Sequence, residues 1–276
     1  LQGFTIIHWK KCFAVEWSEN IDDILPSEHY ITIDRIDDDT RRITVEGTIG
    51  LLTLGIETSG RTASVALIED GIMLGQSSLL TAKTHSQVIL PMVKKLIFDC
   101  DKEIGSIDKI AVGIGPGSYT GIRIGVAAVK AMSFSLGIEC CGVSTLEGLA
   151  YNFPSDGLVC SVMKARQNLV YTALFRFSDN KAHRILDDML IEDGRLSEML
   201  SEYGEQIVMT GDGAEEFSEK FGNGCIKLSP MHLRHQNAAG ICLASLNHDY
   251  CRPEMLEASY LQLVKAEKDL INAERR

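Results

Sequence analysis

The segment Gly115-Pro116-Gly117-Ser118-Tyr119-Thr120-Gly121 constrains the fold more than any other, because it joins the apolar run KIAVGI to a long apolar stretch beginning at Ile122. A strand, a glycine-rich turn and a helix in that order mark an α/β layer. Glycine lets backbones approach closely and adopt positive φ, and a helix N-terminus offers free N–H groups to an anion. Two readings of the loop stay open: a phosphate cradle through Gly115, Gly117, Ser118 and Thr120, or a tight turn whose glycines serve packing. It is not a Walker A loop, since no Lys-Ser/Thr pair follows at the required place. The following helix, with Ile122, Ile124, Val126, Ala127, Val129, Ala131, Met132 and Phe134, is apolar nearly all round. One of its faces can cover a sheet while another still needs covering.

The surrounding pattern extends this layer. From Leu51 the strand-like runs LLTLGIE, SVALIE and IMLGQSS follow one another, the last two joined by Asp70-Gly71. That dipeptide predicts a tight hairpin, because both central residues of a primed turn need positive φ. A helix is expected from Thr84 or Ser86, its apolar Ile89, Met92, Val93, Leu96, Ile97 and Cys100 recurring every three or four residues. After the glycine loop and its helix, CCGV forms a strand ending at Ser144, and Ser144 with Glu147 reads as a capping box for a short helix through Ala150. Beyond Phe153 a weaker echo begins: LVCSVMKAR and NLVYTALFRF as a hairpin, a helical stretch near Arg195 to Tyr203, a strand QIVMTG and the turn Gly211 to Ala214.

The expected fold class is therefore α/β, with two related lobes over residues 51–152 and 153–276, each a mixed sheet flanked by helices. Residues 1–48 differ in character: they hold both tryptophans, Trp9 and Trp17, the acidic run Asp37 to Asp39, and strand-like stretches at Tyr30 to Ile36 and Arg42 to Val45. They read as a separate β-rich stub. The first residue is Leu, so the sequence is expected to be a fragment or a processed form.

Charge narrows the function. With 27 Lys and Arg against 38 Asp and Glu, the formal net charge of −11 disfavours a free-standing nucleic-acid binder, which needs clustered cations for phosphate contacts. No run of about 18 apolar residues is present to span a bilayer, and no basic, apolar leader opens the chain, so a cytoplasmic protein with no membrane partner is expected. The eight cysteines, Cys12, Cys100, Cys140, Cys141, Cys160, Cys225, Cys242 and Cys251, form no CxxC pair, and reduced buried thiols are expected. His232 and His235 form an HxxH pair in a loop-like stretch without a third ligand, so no metal site is expected. Ile56-Glu57-Thr58-Ser59 closes the first strand; an acid followed by hydroxyls suits a hydrated metal and a phosphate, or simply caps the hairpin entrance.

Taken in order, GIETSGRTASVALIEDG, KTHSQVILPMV, IAVGIGPGSYTGIRIGVAAVKAM, CGVSTLEGLA, MKARQNLVYTALF, TGDG and ASYLQLVKAEK resemble the TsaB family. That family lies within the actin, sugar kinase and Hsp70 superfamily, and the likeness runs from about Leu51 to Lys268. The resemblance implies a non-catalytic scaffold that pairs with TsaD, a subunit of similar fold, to support threonylcarbamoyl transfer to the adenosine 3′ of the anticodon in tRNA. It implies contact with tRNA only through the complex, no cofactor in this chain alone, and ATP or ADP at a complex interface as an open alternative. The HxxxH metal motif expected of TsaD is absent from the sequence. The implied pairing surface is a bundle of the first two helices, carrying His85, Ile89, Val93, Ile97, Ile122, Arg123, Val126, Val129 and Lys130. Glu57, Thr58, Ser59, Gly115, Gly117, Ser118 and Thr120 would form a degenerate nucleotide or phosphate loop. Two departures weaken that loop: the family usually has Asp where Glu57 stands and Arg where Gln262 stands.

The stub resembles the C-terminal tail of TsaE, the small ATPase of the same pathway, through CFAVEWSENIDDILPSEHYITI. It lacks the Walker A and switch segments, so no ATPase activity is expected of it; a TsaE fusion, a truncation and a gene-boundary artefact remain alternative origins. Two other functions compete with the scaffold: a nucleotide-dependent transferase or peptidase-like enzyme of the same superfamily, and a self-associating homodimer built on the apolar second helix.

Overall fold

The computed structural model describes residues 50–154, 156–222 and 224–261, together with four strands in the first 49. Two compact units divide the chain, Leu1–Gly50 and Leu51–Arg276. In the first, β1 (Ile7–Trp9) pairs antiparallel with β2 (Cys12–Ala14), and β3 (Tyr30–Arg35) pairs antiparallel with β4 (Arg41–Glu46), Ile33 standing opposite Ile43. The likeness of residues 1–48 to a TsaE tail otherwise lies outside the described residues, as does Gln262.

The second unit opens with β5 (Leu52–Glu57), β6 (Ala63–Glu69) and β7 (Ile72–Leu79). The turn between the last two places Asp70 at φ 51° and Gly71 at φ 80°, the two positive angles that a primed hairpin requires. There follow α1 (His85–Asp99), β8 (Lys109–Gly115), α2 (Tyr119–Leu136), β9 (Glu139–Ser144) and α3 (Thr145–Tyr151). The sheet order is β7-β6-β5-β8-β9, with β5, β8 and β9 mutually parallel. Sequence periodicity places α1 within a residue of where it lies, because Thr84 and Gln87 complete a capping box and Val88, Ile89, Met92, Val93, Leu96 and Ile97 bury one face. Each such side chain contributes about 1.5–3 kcal/mol on leaving water.

The second lobe repeats the first. It comprises β10 (Gly157–Lys164), β11 (Leu169–Ser178), β12 (Lys181–Glu192), α4 (Asp193–Ser201), β13 (Ile207–Thr210), α5 (Ala214–Phe221), β14 (Ile226–Leu228) and α6 (Ala238–Ser245). Its order, β12-β11-β10-β13-β14, matches the first sheet strand for strand, including the parallel pairs. This is the expected α/β architecture of two related lobes, each a mixed sheet flanked by helices.

The closing helices bind the lobes together. Helix α3 ends the first lobe yet packs on β10 and β11, whereas α6 ends the second yet packs on β5, β6, β8 and β9. The two cross at Gly148 and Gly240, where a Cβ on Gly240 would come within 2.0 Å of the Gly148 carbonyl oxygen, so only glycine fits. Among the described residues four apolar clusters result: one under α1 and α2, one between the lobes around Leu146, Phe175 and Ile241, one under α4 and α5 around Leu196 and Phe217, and a small one of Ala66, Ile68, Ala238 and Cys242 where α6 meets β6.

Candidate functional site

The first strand of the unit carries Glu57, Thr58 and Ser59 to its carboxyl end, beside β8, where the strand order reverses. In open α/β sheets this is where ligands gather. The fold does bring Glu57, Thr58 and Ser59 together with Gly117 and Ser118, whereas a Cβ at Gly115 would meet the Ser259 carbonyl oxygen, and it fills the space between the first group with protein. The Ser118 amide donates to the Ser59 carbonyl at 2.7 Å, and Thr58 Oγ1 donates to the Gly121 carbonyl at 2.8 Å. A Cβ at Gly117, which has φ 156°, would lie 2.6 Å from the Ser59 carbonyl oxygen, and one at Gly121 would lie 2.1 Å from that of Thr58. These glycines therefore let the start of α2 press onto the end of β5. Close packing accounts for them without a ligand, and Thr120 stands exposed on the outer side.

Glu57 is buried, its Oε1 accepting from the Ser59 amide while Oε2 finds no hydrogen-bond partner. Burial raises its pKa above the ordinary 4.5, against the smaller lowering effect of its bonds to Ser59 and Thr58. Beyond it, Thr145 Oγ1 donates to Ser59 Oγ at 3.1 Å, so α3 is tied to the same corner.

The two helices of the expected pairing surface lie side by side on one face of the sheet, and the structure corrects which residues can face a partner. Ile89, Val93, Ile97, Ile122 and Val129 are buried in the chain's own core, because the apolar rows at these positions point down onto β5, β6 and β8. Val126 and Lys130 are half-buried, Lys130 reaching the Glu254 carbonyl at 3.4 Å, and His85 is half-buried at the start of α1. Arg123 is exposed; its guanidinium stacks 4.3 Å over the Tyr119 ring, and Nε donates to Tyr260 Oη at 3.3 Å. The outward apolar residues are instead Leu90, Phe98 and Phe134, which are 51%, 78% and 56% exposed, and Ala127 and Ala131 of α2 are exposed as well. Periodicity alone could not separate these, because α2 is apolar on both sides.

A polar cluster escaped sequence reasoning. Glu147 does not close a capping box: Ser144 Oγ accepts from the Leu146 and Glu147 amides, but the Glu147 carboxylate turns toward the other lobe. It meets Arg184 Nη2 at 2.9 Å and His248 Nε2 at 2.8 Å, and Arg184 also binds Asp188. Burial works to raise the Glu147 pKa, but the hydrogen bond and charge of His248 and the charge of Arg184 outweigh it and leave it below the ordinary value. His248 is raised, chiefly by its bond to Glu147. Partners lying 37 and 101 residues away leave no local signal.

His232 and His235 are both exposed, and among the described residues no group of three or more His, Cys, Asp and Glu is placed to hold a metal. Among them, too, no helix is long and apolar enough to cross a membrane.

Comparison with known proteins agrees with this architecture. The family described as "TsaD: tRNA N6-adenosine threonylcarbamoyltransferase" matches residues 79–244. The TsaB tRNA threonylcarbamoyladenosine biosynthesis protein of Bacillus subtilis is 35% identical over 159 residues, covering 57% of this chain and 69% of its own. That of Buchnera aphidicola subsp. Schizaphis graminum is 35% identical over 194 residues, covering 69% of this chain and 90% of its own. Among solved structures, an uncharacterized Pseudomonas aeruginosa protein with similarity to peptidase YEAZ superposes with a TM-score of 0.66 at 23% identity, covering 77% of this chain and all of its own. That last likeness speaks for the fold.

Proposed function

The chain belongs to the TsaB family of tRNA threonylcarbamoyladenosine biosynthesis proteins, and on that premise we propose that it is a non-catalytic scaffold that pairs with TsaD. In this reading it supports threonylcarbamoyl transfer to the adenosine 3′ of the anticodon, touches tRNA only through the complex, and works in the cytoplasm alongside TsaE. The observation that carries it is the exposure of Leu90 and Phe98 on α1 and of Phe134, Ala127 and Ala131 on α2, two helices that pack side by side. Three large apolar groups on adjacent helices form the kind of patch that a partner covers. The absence of HxxxH from the sequence supports a supporting role beside the metal-bearing subunit. The packed corner at Glu57 and Ser118 supports keeping any ATP or ADP at the boundary with that partner and not within this chain.

Mixing the purified chain with TsaD and sizing the product tests the reading. A complex of the two is expected, and Leu90→Glu with Phe134→Glu is expected to abolish it while leaving circular dichroism unchanged. Unaltered TsaD affinity in that double variant overturns the interface. A homodimer through the same face is the second reading, favoured by the same exposed residues; it predicts that the chain sizes as a dimer alone and that TsaD does not displace the second copy. Turnover of ATP or peptide by the chain alone, abolished by replacing Glu57, would favour an enzyme.

A further inference from the structure

The segment after α6 returns as a strap along the outer edge of the first sheet. Cys251 forms an isolated antiparallel bridge with Cys140 of β9, each amide donating to the other's carbonyl, at 2.9 Å and 2.8 Å. From there Pro253 and Leu256 sink into the surface, Ser259 donates its amide to the Ile114 carbonyl at 2.8 Å, and Tyr260 stacks on Tyr119 with ring centroids 4.8 Å apart. The strap thus runs from the edge of β9 to the first turn of α2, beside Arg123.

Residues exchanging both bonds of an antiparallel pair stand directly opposite, with Cα atoms about 5.5 Å apart and side chains on one face. Disulfides span Cα separations of about 4.4–6.8 Å, and the Cα spacing of such a pair lies within that range. Both thiols are free. Their settings differ usefully: Cys140 is buried while Cys251 is half-exposed. Cys141, the next residue, packs on the opposite side of the sheet in the interlobe cluster and is out of line.

We propose that Cys140 and Cys251 are a reversible thiol–disulfide pair, oxidised by low-molecular-weight disulfides, which locks the strap onto the first lobe. The chemistry is two exchanges. The Cys251 thiolate attacks one sulfur of the small disulfide, forming a mixed disulfide and releasing one small thiolate. The Cys140 thiolate then attacks the Cys251 sulfur, forming the internal bond and releasing the second. Two protein thiols lose two electrons and two protons, and one small disulfide becomes two thiols. Burial, with neighbouring Cys251 adding to it, pushes the Cys140 thiol up to about 11, so the second exchange is the slow one and quickens as pH rises.

The test uses the full chain and oxidised glutathione. After incubation at mildly alkaline pH, remaining thiols are alkylated and the digest is read by mass spectrometry. A peptide linking Cys140 to Cys251 is expected, with loss of two alkylatable thiols, faster formation at higher pH and full reversal by dithiothreitol. Cys140→Ser should stop at a glutathione adduct on Cys251, and Cys251→Ser should leave Cys140 unmodified. Hydrogen exchange at residues 251–260 should slow in the oxidised wild-type chain. Failure to form the linked peptide while the exposed Cys225 reacts fully overturns the proposal, as does linkage of Cys251 to Cys141. Because wild-type chain gives the decisive readout, a serine variant that misfolds does not blunt the test.

Discussion

The amide of Ser118 lies 2.7 Å from the carbonyl oxygen of Ser59, which joins the first turn of α2 to the end of β5. The second lobe repeats the bond in the corresponding place, where the Gly213 amide donates to the Val162 carbonyl at 3.0 Å ahead of α5. GPGSYTG and TGDGA are thus two versions of one joint between a first strand and the helix following the fourth. In both, glycine is there because the strand's backbone occupies the place of a side chain.

That joint makes Gly121 intolerant. Its added Cβ would meet the Thr58 carbonyl oxygen at 2.1 Å, and backbone on both sides cannot yield. Gly121→Ala is expected to cost about 2–3 kcal/mol in urea unfolding, the scale of overpacking in a filled core. Gly105→Ala, with open space at the Cβ position, should stay within about 0.5 kcal/mol. Equal stability of the two variants would show that the joint is not rigid.

The Glu147–His248 pair predicts a stability window in pH. Glu147 titrates below its ordinary 4.5 in the folded chain, so its contribution is complete above 4.5 and is lost as pH falls through the lowered value. His248 titrates above its ordinary 6.5, so its contribution is complete below 6.5 and is lost as pH rises through the raised value. Arg184 opposes the imidazolium and Asp249 favours it, without reversing the sign. Stability from this cluster should therefore peak between the two ordinary values. His248→Gln should flatten the alkaline limb and weaken the acid one, because it also takes from Glu147 the main partner that lowers its pKa, measured as melting temperature against pH; an unchanged alkaline limb would remove the pair from the account.

How far the sequence reveals this follows from where each signal lies. Asp70-Gly71, the start of α1 near Thr84 and the apolar runs of β5, β6 and β8 are local signals, and they are legible. The edge strand β12 was not, because Lys181, Arg184, Asp187 and Asp188 interrupt its apolar pattern, as befits an edge that must resist pairing. Helix α6 was missed for the opposite reason: Ala238 to Ser245 is small and apolar all round, without an amphipathic stripe, since it is enclosed between sheets. The glycine loop was found, but its two meanings could be separated only by seeing Thr58 and Ser59 against it. Inward and outward residues of α2 required coordinates for the same reason.

Val129 and Phe134 make that distinction measurable. Both are apolar residues of one helix, yet Val129 has no exposure while Phe134 has 56%. Val129→Glu places a charge in the cluster beneath α1 and α2 and is expected to leave the chain unfolded, since an unpaired buried charge exceeds a typical domain's stability margin. Phe134→Glu is expected to shift stability by at most about 0.5 kcal/mol. Circular dichroism and urea titration separate the outcomes, and a folded Val129→Glu variant would contradict the packing described.

Glu57 gives the last prediction, because its environment sets the scaffold against the catalytic reading. A carboxyl whose folded pKa lies above the ordinary 4.5 binds its proton more tightly in the folded chain than in the unfolded one. Stability is therefore lost as pH rises from 4.5 through the raised value, the reverse of an ion-paired acid. Glu57→Gln keeps the shape and removes the charge, so it should match wild type near pH 4 and exceed it by on the order of 1 kcal/mol near pH 8. An acid retained to hold a metal and a phosphate would behave differently: the amide would abolish magnesium–nucleotide binding at this corner and leave the alkaline stability no better. Urea midpoints at the two pH values, with and without magnesium and ATP, separate the two, and a variant less stable than wild type at alkaline pH would contradict the buried carboxyl, with its one unpartnered oxygen, on which the scaffold reading draws.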